Sequence, residues 1–354
     1  MQTVKEAYFY EKLSDEKVRC RTCNRFCIIP AGKVGFCQSR ENRRGKLYTL
    51  EYGLISTLAI NQVEKKPFFH FYPGSQLLTV GSWSCTFTCP WCQNYEISKT
   101  GPQNKTSQSQ IFSPSRLVKM AQENHCRGMS MSFSEPTTFL EYAVDVFTLA
   151  RKVGLCNTVV TNGYFTAEAA ELLCDSDADA FNIDIKGDAD AYKKYCMADS
   201  KKVWQNVERL KEKGVHIELT TLIIPGVSDD EDCLRGIARR IKQQAGPETP
   251  WHISRYFPAY RFSRPPTPIE ILERAYQIGK EAGLLYVYLG NVPGHRYENT
   301  YCPTCQKELI NRNGYPLKKN LLQDHRCPGC GTIILLREDI EITSHPTDES
   351  KNIA

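Results

Sequence analysis

The chain has 354 residues, of which 41% are hydrophobic and 24% are charged, and its formal net charge at pH 7 is +5. These values are typical of a folded protein with a sizeable core, and they argue against a fibrous chain, a disordered chain and a small disulfide scaffold. The amino terminus lacks the apolar segment of a signal peptide, and no stretch approaches the roughly 20 apolar residues of a membrane helix, so we expect a cytoplasmic protein.

The sequence contains 16 cysteines, and 11 of them fall in three closely spaced groups. Because the reducing cytosol disfavours structural disulfides, clustered thiols in this setting indicate metal ligands or catalytic groups. The other five are interpreted as small buried hydrophobic residues: Cys126, Cys156, Cys174, Cys196 and Cys233.

Residues 1–74 are predicted to form an N-terminal metal-binding region. Four cysteines lie within 18 residues of this region, namely Cys20, Cys23, Cys27 and Cys37. Thiolates so close together indicate a bound metal, which is either a zinc ion in a closed structural site or an iron–sulfur cluster that relays electrons. The sequence leaves both alternatives open.

Residues 75–294 alternate strand-like apolar runs with helical periodicity, a pattern that predicts a parallel sheet connected by crossover helices. The predicted strands cover residues 77–80, 128–133, 157–161, 180–185, 216–223, 251–257 and 285–289. Seven strands are too few for a closed eight-stranded barrel, so the sequence predicts an α/β fold with a partial (β/α) barrel.

Two helices of this region have recognisable starts. Ser113 precedes Pro114, and Thr267 precedes Pro268. Each pair offers a side-chain acceptor and a fixed φ where a helix begins, so we predict that Ser113 and Thr267 cap the helices that follow.

The first strand of this array is followed by Cys85, Cys89 and Cys92 in a C-x3-C-x2-C arrangement. Three thiolates on one loop bind three irons of a cubane cluster and leave the fourth iron without a protein ligand. The alternative is a structural zinc site, which requires four ligands, and no fourth Cys or His lies near this loop in the sequence. An open iron site indicates chemistry rather than electron storage alone.

The C-terminal part carries two C-x2-C pairs about 20 residues apart, formed by Cys302, Cys305, Cys327 and Cys330. Because each pair presents two sulfurs to a tetrahedral ion, residues 295–340 are predicted to form a zinc-ribbon-like structural module. Residues 341–354 are polar, and we expect a disordered tail.

The spacing of the central cysteines, with Trp91 directly before the last of them, resembles the signature of radical S-adenosylmethionine (SAM) enzymes. The resemblance implies that SAM chelates the free iron and that Trp91 lies at the cofactor. It further implies that an electron from the reduced 4Fe-4S cluster cleaves SAM to methionine and a 5′-deoxyadenosyl radical, which abstracts a substrate hydrogen.

Glu135, in SFSEP after the second strand, resembles the GGEP segment that holds the SAM amino group in this superfamily. Phe133 and Ser134 replace the two glycines, so the backbone contact of that segment does not carry over. The alternative interpretation of Glu135 is an ordinary acidic residue at a helix N-terminus.

VTNGY and NIDIKGD, at the ends of the third and fourth strands, resemble strand ends of glycyl-radical activating enzymes. The resemblance implies that Thr161, Asn162, Asp184 and Lys186 line the SAM pocket. The alternative is a plain strand-ending turn after Thr161 and a simple Asp184–Lys186 ion pair.

His252, in WHISRYF of the sixth strand, is a candidate contact for SAM or substrate. The alternative is a structural histidine whose hydrogen bonds are satisfied inside the protein. GNVPG after the seventh strand suggests a further backbone contact to SAM.

Together these motifs resemble AmmeMemoRadiSam-system radical SAM enzymes, which are related to pyruvate formate-lyase activating enzyme, from residue 18 to residue 336. The resemblance implies an oxidoreductase of the activating-enzyme type. It also implies an electron donor such as flavodoxin or ferredoxin, with Memo-like and AMMECR-type proteins as partners.

Two enzyme alternatives stay open, which are hydrogen abstraction from a small organic molecule and generation of a glycyl radical on a partner enzyme. A third alternative is a non-enzymatic zinc-ribbon scaffold, or an RNA-binding protein that uses the basic residues 40–46. The positive charge is spread along the chain instead of forming one long basic run, which disfavours a nucleic-acid partner.

Overall fold

The computed structural model describes residues 3–104 and 110–338. The N-terminal part contains seven short strands: β1 (Lys5–Glu6), β2 (Tyr10–Lys12), β3 (Val18–Cys20), β4 (Ile28–Ile29), β5 (Arg40–Arg43), β6 (Lys46–Thr49) and β7 (Leu54–Ile55). Two small antiparallel sheets result, one in the order β1-β6-β5 and one in the order β2-β3-β4.

The central part contains nine further strands: β8 (Thr57–Gln62), β9 (Gln76–Gly81), β10 (Gln110–Ile111), β11 (Gly128–Met131), β12 (Cys156–Thr161), β13 (Ala180–Asp184), β14 (His216–Ile223), β15 (Trp251–Arg255) and β16 (Val287–Gly290). Eight of them form one sheet in the order β8-β9-β11-β12-β13-β14-β15-β16, while β10 pairs with β7. Neighbouring strands from β9 to β16 are parallel, and β8 pairs antiparallel to β9 at the edge. The predicted α/β fold with an open, partial barrel is therefore confirmed.

The seven predicted strands match seven strands of this sheet, but β8 was not predicted. Its residues are partly exposed, so its sequence lacks the continuous apolar run of a strand that is buried on both faces. Two strands also end two residues earlier than predicted. β11 ends at Met131 shortly before Phe133 adopts a φ of 69°, and β15 ends at Arg255, after which the Tyr256 N–H bonds to the Thr267 hydroxyl instead of a neighbouring strand.

Eight α-helices cover the sheet: α1 (Tyr95–Ser98), α2 (Pro114–Glu123), α3 (Leu140–Lys152), α4 (Ala167–Asp175), α5 (Ala189–Ala191), α6 (Ser200–Glu212), α7 (Glu231–Arg240) and α8 (Ile269–Glu281). Ser113 caps α2 as predicted, because its hydroxyl accepts the Arg116 N–H at 3.2 Å. The predicted cap at Thr267 is wrong. Pro268 occupies the cap position of α8, and the Thr267 hydroxyl instead donates to the Ile223 carbonyl at 2.6 Å, which ties the ends of β14 and β15 together.

The N-terminal part packs on the barrel through a buried ion pair. Arg40 of β5 is 2% exposed and donates to Glu141 of α3 at 2.6 Å. Arg40 also donates to the Thr137 carbonyl at 3.2 Å. Arg40 is therefore unavailable to a basic surface formed by residues 40–46, whereas Arg43 and Lys46 are exposed.

Residues 63–74, called the floor segment here, follow β8 and close the barrel beneath its polar interior. Asn182 of β13 donates to the Pro67 carbonyl at 2.7 Å, and Glu218 of β14 accepts the N–H groups of Phe69 and His70 at 2.9 and 2.8 Å. The C-terminal sheet, made of β17 (Thr300–Tyr301), β18 (Glu308–Arg312) and β19 (Leu317–Asn320), packs on the other side of this segment. The predicted tail from residue 341 onward lies outside the described residues.

The stability of this junction is expected to depend on pH through His70. His70 is 1% exposed, and its ring nitrogens lie 2.9 Å from the Leu335 carbonyl and 2.6 Å from the Tyr288 hydroxyl. Burial lowers the pKa of His70 to about 4. The unfolded chain therefore binds this proton at higher pH than the folded chain does, and stability falls as the pH drops below about 6.5.

From pH 7 to pH 5 this one group is expected to reduce the free energy of unfolding by about 2 kcal/mol. Urea unfolding of the native protein and of His70→Gln at both pH values measures how far the free energy of unfolding of each protein falls between pH 7 and pH 5. The fall should be smaller for His70→Gln by about the contribution of this one group. His125→Asn is the matched control, since His125 is exposed and should leave the slope unchanged. Equal slopes for His70→Gln and the native protein would contradict the assignment.

Candidate functional site

The three central cysteines lie on the loop between β9 and α1. Cys85 Sγ accepts the Phe87 N–H at 3.3 Å, and Cys92 Sγ lies 3.1 Å from the Ser98 hydroxyl. Cys89 is 6% exposed, whereas the other two are partly exposed. This loop therefore presents its thiols at the carboxyl end of the first parallel strand, where loops of such a sheet form active sites.

All three cysteines line one cavity of about 370 Å³ at the carboxyl ends of the strands. Six of the predicted cofactor-site residues besides the cysteines line it too: Trp91, Glu135, Thr161, Asn162, Asp184 and Lys186. Among the described lining residues, the three central cysteines are the only thiols. This donor set fits a cubane cluster with three protein ligands and one open iron.

Glu135 connects the ends of β11 and β12. Its Oε1 accepts from the Thr161 hydroxyl at 2.8 Å and from the Thr137 hydroxyl and N–H at 2.6 and 3.1 Å. Its Oε2 accepts the Asn162 N–H at 2.9 Å. Burial raises the pKa of Glu135, while these hydrogen bonds oppose that rise. Since an ionised carboxylate oxygen has about two acceptor sites, Oε2 keeps one for a ligand in the cavity.

Asn162 fixes the cysteine loop against β12. Its side-chain Nδ2 donates to the Thr86 hydroxyl at 2.9 Å and lies 3.6 Å from Cys85 Sγ. Its side-chain oxygen Oδ1 accepts the Tyr164 N–H at 3.0 Å. The TNG sequence thus does form a strand-ending turn, and the same turn holds the thiol loop in place.

Asp184 and Lys186 form an ion pair of 2.9 Å at the end of β13. Burial alone would lower the pKa of Lys186, but the negative charges of Asp184 and Cys89 outweigh it and raise this pKa. Lys186 is therefore a permanent cation beside the cysteine loop. The predicted ion pair and the predicted cavity position are both present.

Trp91 is 3% exposed and packs between two aromatic rings, with ring centroids 5.2 Å from Tyr195 and 5.5 Å from Phe262. These contacts anchor the segment between Cys89 and Cys92. The position suits a residue that shapes the cavity wall.

His252 does not line this cavity. It is 3% exposed, its Nε2 lies 2.6 Å from Glu218 Oε2, and its ring stacks on Tyr288 at 5.4 Å. It therefore belongs to the buried network above the floor segment, which supports the structural alternative. The predicted contact of His252 with SAM or substrate gains no support from this position.

Cys196 was interpreted as an isolated hydrophobic residue, but its Sγ lies 3.5 Å from Cys89 Sγ. A short helical turn, Tyr192–Cys196, carries it there after β13. It is buried as predicted, yet it is a neighbour of the cysteine loop and not merely a packing residue.

The N-terminal cysteine region packs directly on the central loop. Arg25 lies between two of its cysteines and donates to the Thr86 and Cys196 carbonyls at 2.6 and 3.0 Å. Cys37 lines a second cavity, of about 380 Å³, together with Cys85. The N-terminal cysteine region and the central cysteine loop thus border the same cavity.

The C-terminal cysteines form a compact group, with all four Sγ atoms within 4.8 Å of one another. The Cys302–Cys330 and Cys305–Cys327 sulfur distances are 3.5 and 3.6 Å. Four thiolates around a single zinc ion, each about 2.3 Å from the metal, require a similar separation.

Sequence reasoning gave no site role to three residues that line the central cavity from below, namely Lys65, Lys66 and Tyr315. Both lysines lie in the segment KKPFFHFYPGS, whose local pattern gives them no role by itself. Asn291, from GNVPG, also lines the cavity, and its amide donates to the Ser254 hydroxyl at 3.1 Å.

Residues 83–235 match the family model described as the radical SAM superfamily. The uncharacterized protein MJ0808 of Methanocaldococcus jannaschii is 44% identical over 331 residues, which cover 93% of this chain and 98% of that protein. A second protein of the same organism is named, provisionally, for activation of glycyl-radical enzymes. It is 24% identical over 48% of this chain and 70% of its own length.

Among solved structures, a domain of pyruvate-formate lyase-activating enzyme from Bacteroides vulgatus is 20% identical with a TM-score of 0.40, covering 46% of this chain and 99% of that one. A radical SAM methyltransferase from Sphaerobacter thermophilus is 16% identical with a TM-score of 0.49, covering 62% and 68%. In the part of the chain that the structure describes, no helix is both long and apolar enough to cross a membrane.

Proposed function

The chain belongs to the radical SAM superfamily, and we propose that it uses SAM and a 4Fe-4S cluster held by Cys85, Cys89 and Cys92 to abstract hydrogen from a small organic substrate. The observation that carries this proposal is that the three thiols share one cavity with the polar residues at the strand ends. When bound, the reduced cluster supplies one electron that splits SAM and yields the 5′-deoxyadenosyl radical.

The residues of the chain bind and orient the reactants. Asn162 holds the Cys85 side of the loop, and Glu135 offers its remaining Oε2 acceptor site to an amino group. Asp184 and Lys186 present a carboxylate and an ammonium 2.9 Å apart, which suits a ligand that has both hydroxyl and carboxylate groups.

A small substrate is favoured over a protein glycine because the cavity is closed below by the floor segment and by Tyr315 of the C-terminal part. Activation of a glycyl-radical enzyme is the second candidate, supported by the name of the 24% identical relative.

The direct test is anaerobic reconstitution of the full chain with iron and sulfide, followed by incubation with SAM and dithionite. Formation of 5′-deoxyadenosine is expected, and its complete absence from protein that holds the cluster would refute the proposal. Deuterium transfer from labelled cell extract into 5′-deoxyadenosine separates the two candidates, since label should come from the small-molecule fraction and not from the protein fraction.

We further propose zinc in the C-terminal four-cysteine site, on the basis of its compact sulfur geometry. The N-terminal set is proposed to hold either zinc or an auxiliary iron–sulfur cluster. Metal analysis of the reconstituted protein distinguishes these, since one cubane gives about four irons per chain and two give about eight.

A further inference from the structure

The cavity contains a buried lysine amine that has no carboxylate partner among the described residues. Lys66 is 4% exposed, lies on the floor segment and lines the cavity. Its Nζ sits 3.9 Å from the centre of the Phe133 ring. Among the described residues, no carboxylate lies within ion-pair distance of it, and burial, with a smaller effect from Lys65, lowers the pKa of Lys66 to about 7.

Apart from Lys65, which is exposed, the other charged groups of the cavity are already engaged. Lys186 pairs with Asp184 at 2.9 Å, and Lys99 donates to the Phe87 carbonyl at 2.8 Å. Glu135 receives hydrogen bonds from neighbouring threonines and from the Asn162 backbone. Lys66 therefore stands apart as the buried basic group of the cavity that pairs with no described carboxylate.

Protonation of a lysine amine that is buried without a partner is unfavourable, because the cation–π contact with one ring replaces only part of the lost hydration. A methionine of similar length would pack against Phe133 without this cost. The arrangement becomes favourable when a bound ligand brings the missing negative charge, since a desolvated ammonium binds an anion strongly.

We infer that Lys66 is a substrate-binding residue that recognises an anionic group, a carboxylate or a phosphate, on the molecule that this enzyme acts upon. The inference rests on the proposed function, because it assigns a chemical class to the substrate of the same cavity. Lys65 lines the cavity beside it and is exposed, with its Nζ 5.8 Å from the centre of the Tyr315 ring, so a second cation stands ready for a dianionic group.

Lys66 belongs to a different element from the cofactor residues, although its Nζ contacts Phe133, two residues before Glu135. Lys66 approaches the cavity from the floor segment, whereas Glu135, Asp184 and Lys186 follow strand ends. Lys66 and the three central cysteines line the same cavity, so a substrate held by its anionic end at Lys66 lies in the space that the cysteine loop borders.

The test uses the reconstituted full chain with saturating SAM and two probes, inorganic phosphate and acetate, titrated at constant ionic strength by isothermal titration calorimetry. One binding site is expected in the native protein. Lys66→Met should weaken binding of the preferred probe at least about tenfold, whereas Lys66→Arg, which keeps the charge, should bind more tightly than Lys66→Met. Lys280→Met is the matched control, because Lys280 is also partly buried with a pKa lowered by burial but lies outside the cavity.

Preference for phosphate identifies a phosphorylated substrate and preference for acetate a carboxylic acid, and either supports the inference. Native protein that binds neither probe, or Lys66→Met protein that binds as well as native, overturns it. Anion binding that is present in a parallel titration without SAM and absent with saturating SAM also overturns it, because Lys66 would then hold the cofactor. If Lys66→Met does not fold by circular dichroism, the comparison of Lys66→Gln with Lys66→Arg decides in its place.

A failure of this anion-binding test can be distinguished from a failure of the proposed function. Native protein that forms 5′-deoxyadenosine but binds no probe anion keeps its proposed chemistry and loses only the anionic substrate. Native protein that holds the cluster and forms no 5′-deoxyadenosine loses the proposed chemistry whatever the calorimetry gives.

Discussion

Replacement of Cys92 by alanine is expected to lower the rate of 5′-deoxyadenosine formation at least about 1,000-fold, which corresponds to about 4 kcal/mol of lost transition-state stabilisation. With one thiolate removed, the loop offers two ligands where the cluster requires three, so cluster binding and the open iron are lost together. The measurement is iron content and 5′-deoxyadenosine yield of native and variant protein after identical anaerobic reconstitution.

Cys92 is preferable to Cys89 for this test because the Cys196 thiol lies 3.5 Å from Cys89 Sγ and could take its place as a ligand. The matched control is Cys174→Ala, since Cys174 is a half-buried cysteine of α4 remote from the cavity. The control should keep the native iron content and yield. Unchanged iron and yield in Cys92→Ala would refute the assignment of the central loop.

The strand array could be predicted from sequence because a parallel sheet is buried on both faces and its strands read as apolar runs. The edge strand β8 could not, since an antiparallel edge strand exposes part of its surface and breaks that pattern. Likewise, threonine is a common helix-capping residue, but the Thr267 hydroxyl donates a hydrogen bond to the carbonyl of Ile223 at the end of β14 and does not cap the helix.

Site residues that lie at strand ends could be predicted from the sequence, and site residues that lie elsewhere could not. Asp184 and Lys186 come directly at or after a strand and line the cavity as expected. The side chain of His252 points into the barrel, as the alternation of side chains along β15 predicts. His252 is the second residue of its strand, however, so it lies near the start of the strand and contacts Glu218 below the cavity. Lys66 reaches the cavity only because the floor segment crosses the barrel, a long-range event that local sequence patterns do not encode.

Glu218 is the residue on which the floor segment depends most. Its carboxylate is fully buried and accepts the backbone N–H groups of Phe69 and His70, together with His216 Nε2 at 2.9 Å and His252 Nε2 at 2.6 Å. Burial alone would raise the pKa of Glu218, but the two histidines outweigh this effect and hold the pKa well below its ordinary value. The group is therefore an ionised carboxylate whose hydrogen bonds join β14, β15 and the floor.

Replacement of Glu218 by glutamine keeps the shape but converts one acceptor oxygen into an NH2 donor that faces other donors. The free energy of unfolding is expected to fall by about 3 to 5 kcal/mol, the range found when one partner of a buried charged network is removed. Urea unfolding at pH 7 measures it. Glu248→Gln is the matched control, because the ion pair of Glu248 with Lys211 is partly exposed and is worth about 1 kcal/mol or less.

The same substitution tests whether the two ends of the barrel are structurally independent. The cysteine loop is held by Asn162 and by the aromatic packing of Trp91, neither of which contacts Glu218, so folded Glu218→Gln protein should retain the native iron content. Lys66, in contrast, precedes the two anchored N–H groups by only a few residues, so probe anions should bind more weakly as the floor loosens. A stability loss below about 1 kcal/mol would mean that Glu218 does not anchor the floor. A loss of iron with anion binding intact would mean that the floor supports the cluster instead of the substrate end of the cavity.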